Sequence, residues 1–286
     1  MKKQSFPLSL ILIVLFALLL IFPSVSFQGV KSGLVLWGLT LVPVLFPFFL
    51  LTGLIRIYFP VSDTAPFYLI LGFLSGYPVG ASLLASSRNP HIRSDFYLGL
   101  ISNPSPAFLI TFVGEKALAL GEKRFLFYLM ILLSSLLGNV IANFFLQPVY
   151  PVKEQEKINN PDNIHGEMIE EVLWHSIEIL LKIGGYIMFF SIIAHFLLLI
   201  PIKSSFFYII LPGFCELTTG ISLISNSSVS TAQKIVPAAF LSSFGGLCSV
   251  LQIKSVLGSS GLSVINYIIR KLLGSGIAVI LTLIFF

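Results

Sequence analysis

Apolar residues run through this chain in long unbroken blocks, with little of the alternating or every-third patterning of soluble domains. Seven blocks, near 6 to 23, 33 to 57, 96 to 114, 124 to 147, 174 to 200, 234 to 257 and 263 to 285, are long enough to cross a bilayer as helices. Two more, 66 to 87 and 206 to 225, are apolar at both ends and interrupted in the middle. Polar residues gather in one long stretch, 148 to 171, which holds six of the twelve acids: Glu154, Glu156, Asp162, Glu167, Glu170 and Glu171. Such a segment cannot bury a core and reads as a solvated linker.

Composition turns this pattern into a class. The 286 residues are 56% hydrophobic and 10% charged, and the mean hydropathy is +0.97, whereas soluble domains carry about 25% charged residues. The chain is expected to be an all-α polytopic membrane protein with about seven full spans and the lipid bilayer as its main partner. A net charge of +5 would point to nucleic acid in a soluble protein. Here the bases flank apolar runs, so membrane orientation accounts for them and no nucleic-acid partner is expected. Residues 6 to 22 behind Lys2 and Lys3 resemble a signal peptide, but 24 to 26 make a weak cleavage site, and an uncleaved first span is the expectation. Cys215 and Cys248 lie in apolar surroundings without metal-ligand spacing and read as small core residues.

The linker divides two similar halves. A shift of 140 residues lays Phe67-Tyr68 on Phe207-Tyr208 and Ile70-Leu71 on Ile210-Leu211, and it matches Gly80 with Gly220, Ser82 with Ser222, Leu83 with Leu223 and Ser87 with Ser227. That is eight identities over the 21 positions from 67 to 87, where this composition gives about two by chance. The same shift pairs Ser102 with Ser242 and Ser135 with Ser275. The expected organisation is an N-terminal span (1–30), repeat unit one (31–147), an acidic cytoplasmic linker (148–172) and repeat unit two (173–286).

Whether the interrupted segments cross the membrane sets the symmetry. If each crosses, the halves are parallel; if each is a re-entrant helical hairpin, a unit has three crossings and the repeats are inverted. Under the inverted reading, Lys2, Lys3, Arg56, Arg88, Arg93, Lys153, Lys157, Arg270 and Lys271 fall on or near the cytoplasmic side. Lys31, Lys116, Lys123, Arg124, Lys203 and Lys234 fall outside, nine against six. This orientation places the N-terminus in the cytoplasm and the C-terminus outside.

The chemistry sits at the interruptions. In the first, Ser75, Gly76, Tyr77 and Pro78 suit a hairpin tip: Gly76 permits positive φ, Pro78 starts the second half-helix, and Tyr77 offers a hydroxyl. A proline-kinked span is the simpler alternative, but the duplicate breaks at the same place. In the second, Glu216 is followed by Thr218 and Thr219. A carboxylate at membrane depth usually faces a cavity, although one bonded to neighbouring backbone is a structural alternative. Each hairpin is followed by a broken transmembrane helix. The first has Ser102, Asn103 and Ser105 among Pro104 and Pro106; the second has Ser242 and Ser243 before Gly245-Gly246, with Gln252 beyond. Unwound helices in membrane proteins hold solutes and ions. All of these residues are candidate contacts for a small polar solute, with a sodium ion or proton as coupling ion; Gly245-Gly246 fits close helix packing equally well. His175 and His195 are twenty residues apart and share no site, and there is no hydrolase or nucleotide-binding motif, so neither an enzyme nor a metal or other cofactor is expected. A homo-oligomer is compatible with the sequence.

The stretches 72 to 81, 101 to 108, 213 to 221 and 240 to 252, "GFLSGYPVGA", "ISNPSPAF", "GFCELTTGI" and "FLSSFGGLCSVLQ", resemble the YlbJ-type sporulation integral membrane proteins over nearly the whole chain. Those proteins are grouped with the nucleoside-recognition, or Gate-domain, membrane proteins, which are similar to the core of concentrative nucleoside transporters. The resemblance implies two hairpins and two unwound helices around a ligand, with Glu216 as the acid of the second hairpin. It also implies a role in endospore formation, around the envelope or cortex, and a cell membrane or forespore-surrounding membrane as the location. A transporter-like core moving a nucleoside-like or envelope-related solute is the expected function, and a non-transporting scaffold or sensor acting through the acidic linker is the alternative.

Overall fold

Sequence blocks this apolar can satisfy their backbone groups in lipid only by coiling, and they do. In the computed structural model, which describes residues 6–58, 65–85, 87, 89, 94–146, 165–201, 205–258 and 260–286, the regular structure of the described residues is entirely helical. The order is α1 (Phe6–Ile21), α2 (Pro23–Val35), a π-helical segment (Leu36–Leu41), α3 (Val42–Tyr58), α4 (Ala65–Ser75), α5 (Val79–Ala85) and α6 (Asp95–Ile101). A second π segment (Phe108–Ala117) follows, then α7 (Lys123–Phe145), α8 (His165–Leu197), α9 (Ser205–Cys215), α10 (Leu217–Asn226), α11 (Thr231–Phe244), α12 (Gly246–Leu257) and α13 (Val264–Phe285).

Among the described residues, four helical stretches are long and apolar enough to cross a membrane: Lys123–Phe145, Ile169–Leu197, Thr231–Leu257 and Val264–Phe285. A fifth crossing is available if Leu12–Ile21 and Pro23–Leu41, bent by 104° at their junction, form one span. Outward-facing apolar residues such as Leu129, Phe144 and Leu283 are 58, 81 and 68% exposed, which suits hydrocarbon and not water.

The block 96 to 114 is broken where Pro104 and Pro106 were expected to break it: α6 ends at Ile101 and the chain resumes as a π segment. Two sequence expectations change. The block 33 to 57 is part of a longer helical path that begins at Pro23 and passes through the π segment Leu36–Leu41. Residues 165 to 172, assigned to the linker, are the first turns of α8. The rest of the linker lies outside the described residues, as do Lys2, Lys3 and the side chains of Arg56, Arg88 and Arg93.

The two interrupted segments are tight hairpins. Residues seven or eight apart in a continuous helix are separated by about 10–12 Å, yet a Cβ at Gly80 would lie 3.1 Å from Gly72 Cα, and one at Gly220 would lie 2.4 Å from Gly213 Cα. Each stem therefore doubles back on itself, and glycine lets the two arms touch. The element bounds also repeat: α4 and α9 are offset by 140 at both ends, and α7 and α13 both end at positions offset by 140.

Corresponding helices of the two halves pack against each other head to tail. In α7 and α13, Gly138 meets Gly274 and Arg270 reaches Asn139 and Asn143, while Lys123 at the start of α7 lies over the ring of Phe286 at the other end. That register is antiparallel. Along α8, Gly29 meets Ile192, Gly33 meets Met188 and Gly53 meets Val172, so the α2–α3 path also runs antiparallel to α8. Glycine four apart at 29 and 33 brings these backbones close enough for van der Waals packing to hold them in lipid.

Candidate functional site

The site begins with the backbone that the breaks leave open. At the first hairpin tip Gly76 has φ +72°, and a Cβ there would strike Ser105 N at 2.6 Å. The next residue, Tyr77, donates its backbone N–H to Asn103 O at 2.9 Å. The first tip is thus seated on the first broken helix. In the second half a Cβ on Gly246 (φ +82°) would lie 3.3 Å from both Cys215 O and Leu217 N, and Phe214 stacks on Phe244 at 4.4 Å. The second tip is seated on the second broken helix in the same way, since position 246 lies one residue from the shifted equivalent of Ser105. Across the halves, a Cβ at Gly245 would lie 3.5 Å from Tyr77 Cε1.

All four interruptions open onto one cavity of about 380 Å³. Ser75 and Tyr77 come from the first tip, Pro104 and Ser105 from the first break, Glu216 and Thr218 from the second tip, and Gly245, Ser249 and Gln252 from the second break. Phe108 and Phe112, stacked at 5.1 Å, add an aromatic wall from the second π segment. Hydroxyls, one amide and flat rings make up most of the polar and aromatic lining, together with the charged side chains of Glu216 and Lys116.

Of the residues proposed from sequence, Ser75, Tyr77, Ser105, Glu216, Thr218 and Gln252 line this cavity. Gly76, Pro78 and Thr219 shape the tips without lining it. Ser102, Asn103, Ser242 and Ser243 are buried at 0, 2, 0 and 1% exposure in the helix packing behind it. Asn103 is a hub: Nδ2 donates to Leu100 O at 2.6 Å and Ser135 Oγ at 3.1 Å, and Oδ1 accepts from Lys271 Nζ at 2.7 Å. Ser243 Oγ lies 3.5 Å from Ser134 Oγ.

Glu216 is the N-cap of α10. Its carboxylate accepts from Thr218 N at 2.9 Å, Thr219 N at 2.6 Å and Thr219 Oγ1 at 2.8 Å, and from the Thr218 hydroxyl. Four donors match the roughly four lone-pair sites of a carboxylate. The acid therefore holds the tip together and has little acceptor capacity left for a solute.

Three ionisable residues are buried in the helix packing, among them Arg270 and Lys271, which were expected on or near the cytoplasmic side. Asp95 is 0%, Arg270 1% and Lys271 2% exposed. Asp95 accepts from Ser263 N at 2.9 Å and Asn266 Nδ2 at 2.6 Å, tying α6 to the start of α13. Arg270 donates to Asn139 O at 3.0 Å and Asn143 Oδ1 at 2.8 Å. The available signal was position: Arg270 and Lys271 lie well inside an apolar block, not at its end.

No protein-family model matches the chain, and no solved structure matches it. The sporulation integral membrane protein YlbJ of Bacillus subtilis is similar to it, 24% identical over an alignment of 313 positions that covers 88% of this chain and 75% of that protein. That likeness over most of the chain bears out the YlbJ-type resemblance read from its motifs: the chain is a homologue of a sporulation integral membrane protein.

Proposed function

We propose that this is a sporulation-associated membrane protein whose transporter-like core binds and moves a small polar solute between two inverted repeats. The observation that carries the reading is the convergence of both hairpin tips and both helix breaks on one cavity. Unwound backbone at membrane depth is tolerated inside protein or beside water, and secondary transporters place it at the repeat interface. The inverted relation is supported by α7 and α13, which share a 140-residue offset and pack antiparallel. Two units of three crossings and one hairpin, after an N-terminal span, give about seven spans with the N-terminus cytoplasmic. The sporulation role rests on the printed name of the Bacillus subtilis relative. The solute is nucleoside-like or related to the spore envelope or cortex.

The test is a thermal-shift screen of the purified protein against nucleosides, amino acids and cell-wall precursors, followed by the same screen on Tyr77→Ala and Gln252→Ala. One solute class is expected to raise the unfolding midpoint of the wild type and to lose that effect in both variants. If no class does so, and the cavity variants sporulate normally while deletion of residues 153 to 170 abolishes sporulation, the protein is a scaffold or sensor.

A further inference from the structure

We propose that solute reaches the cavity through a portal between the two π segments, rimmed by Thr40, Thr111 and Lys116, and that the first hairpin closes the cavity on its own side. The inference rests on the solute-site reading above and gives that site its route and its open face.

The residues that line the cavity divide by exposure. Ser75, Glu216, Cys248, Ser249 and Gln252, from the two tips and the second break, are 2, 5, 3, 1 and 5% exposed. Thr40 of the first π segment, and Ala107, Thr111 and Lys116 on or just before the second, line the same cavity and are exposed. A cavity with a buried floor and an exposed, π-wound edge has its mouth at that edge. Among the described residues, π winding occurs at these two segments, and both border this mouth. Such winding is rare in helices and concentrates at functional sites.

The rim is polar where lipid contact would select apolar side chains, as it does on α7, where Leu133 is 44% exposed. Hydroxyls and an ammonium at membrane depth belong beside water or protein. The polar face continues along α10: Thr218 lines the cavity, and Ser222, one turn on, is exposed. On their other sides the second π segment and α10 share one buried cluster through Leu109, Val113, Leu217, Ile221 and Ile224. The matching arm of the first hairpin is built differently. A shift of 140 lays Pro78 and Val79 on Thr218 and Thr219, and Ser82 on Ser222, yet no residue of α5 is exposed and Val79, Ala81 and Leu84 are fully buried. One hairpin thus borders a hydrated opening, and the other plugs its own side.

The experiment uses the full-length protein carrying Cys215→Ser, which leaves Cys248 on the cavity floor as its native thiol. Membrane vesicles of both orientations are treated with an impermeant methanethiosulfonate reagent, and Asn226→Cys and Asn89→Cys mark the faces of the second and first hairpins. Cys248 is expected to react from the Asn226 face and not from the Asn89 face. Thr40→Trp together with Thr111→Trp should abolish that reaction while the thermal midpoint holds. With Cys248→Ser added, Thr40→Cys, Thr111→Cys and Lys116→Cys should react from the Asn226 face, and Ser82→Cys and the lipid-facing Leu133→Cys from neither; these variants decide the matter if the tryptophan pair does not fold. Reaction of Cys248 from the Asn89 face or from neither face, reaction unhindered by the tryptophans, or rim cysteines as unreactive as Leu133→Cys overturns the proposal. If both markers label from one face, the inverted arrangement fails, and the tryptophan pair and Ser82→Cys still decide the portal. Labelling needs no solute, so a failed solute screen leaves the portal standing, and failed labelling leaves the solute-site reading to its own screen.

Discussion

Tyr77 donates its backbone N–H to the carbonyl of Asn103 at 2.9 Å, and through that one bond the tip of the first hairpin rides on the first broken helix. The side chain of Asn103 meanwhile receives Lys271 from the last helix of the second half. One residue thus connects a cavity-lining tip to α13.

Asn103→Leu should therefore be more damaging than its position behind the cavity implies. It leaves the Lys271 ammonium buried without an acceptor, which costs about 2–3 kcal/mol. The expected result is a lower thermal midpoint in detergent, restored only in part by Asn103→Asp, which keeps the oxygen facing Lys271 but loses the donor to Leu100 O.

Glu216→Gln separates a structural from a ligand-binding acid. The amide cannot accept all four donors of Thr218 and Thr219, so the second tip should loosen by about 1–3 kcal/mol. Amide hydrogen exchange should rise across α9 and α10 while α4 and α5 stay as protected as in the wild type.

Gly246→Ala forces a side chain onto a backbone with φ +82° and should cost about 1–2 kcal/mol. Gly276→Ala is the internal control, because a Cβ there meets nothing within 4 Å and the residue lies inside α13. Thermal midpoints are expected to fall for the first substitution and to hold or rise for the second.

The packing of α7 on α13 can be read by cross-linking. With Cys215 and Cys248 replaced by serine, Lys123→Cys and Phe286→Cys should be joined by a short bifunctional maleimide, because the start of one helix lies beside the end of the other. Pairing of Lys123→Cys with Val264→Cys instead would mean that the helices run parallel.

Side of the membrane is a separate question, answered by labelling. Cysteines placed at Asn89, just beyond α5, and at Asn226, the last residue of α10, should react with an impermeant maleimide from opposite faces. Labelling from one face would remove the inverted arrangement.

Much of this architecture could be read directly from residue order. Helical content follows from apolar blocks that have no other way to satisfy their backbone in lipid. The expected duplication rests on identities at a fixed offset, and the breaks follow from Gly76, Pro78, Pro104, Pro106 and Gly245-Gly246, whose backbone limits are local. Which side of a break faces a cavity is not a local property. Ser105 and Asn103 are two residues apart and chemically alike as candidates, yet one lines the cavity and the other is spent on Leu100, Ser135 and Lys271. Glu216 was recognisable as a costly acid, but only the fold of its own hairpin shows that the two threonines saturate it. Lys271 is the clearest case. Along the chain it is a base in an apolar run, and its meaning comes from a partner 168 residues away, brought within 2.7 Å when α13 packs across the first repeat. Local chemistry fixes where the chain can bend and what must be buried; long-range packing decides which polar groups find one another, because a buried charge takes its role from its neighbours.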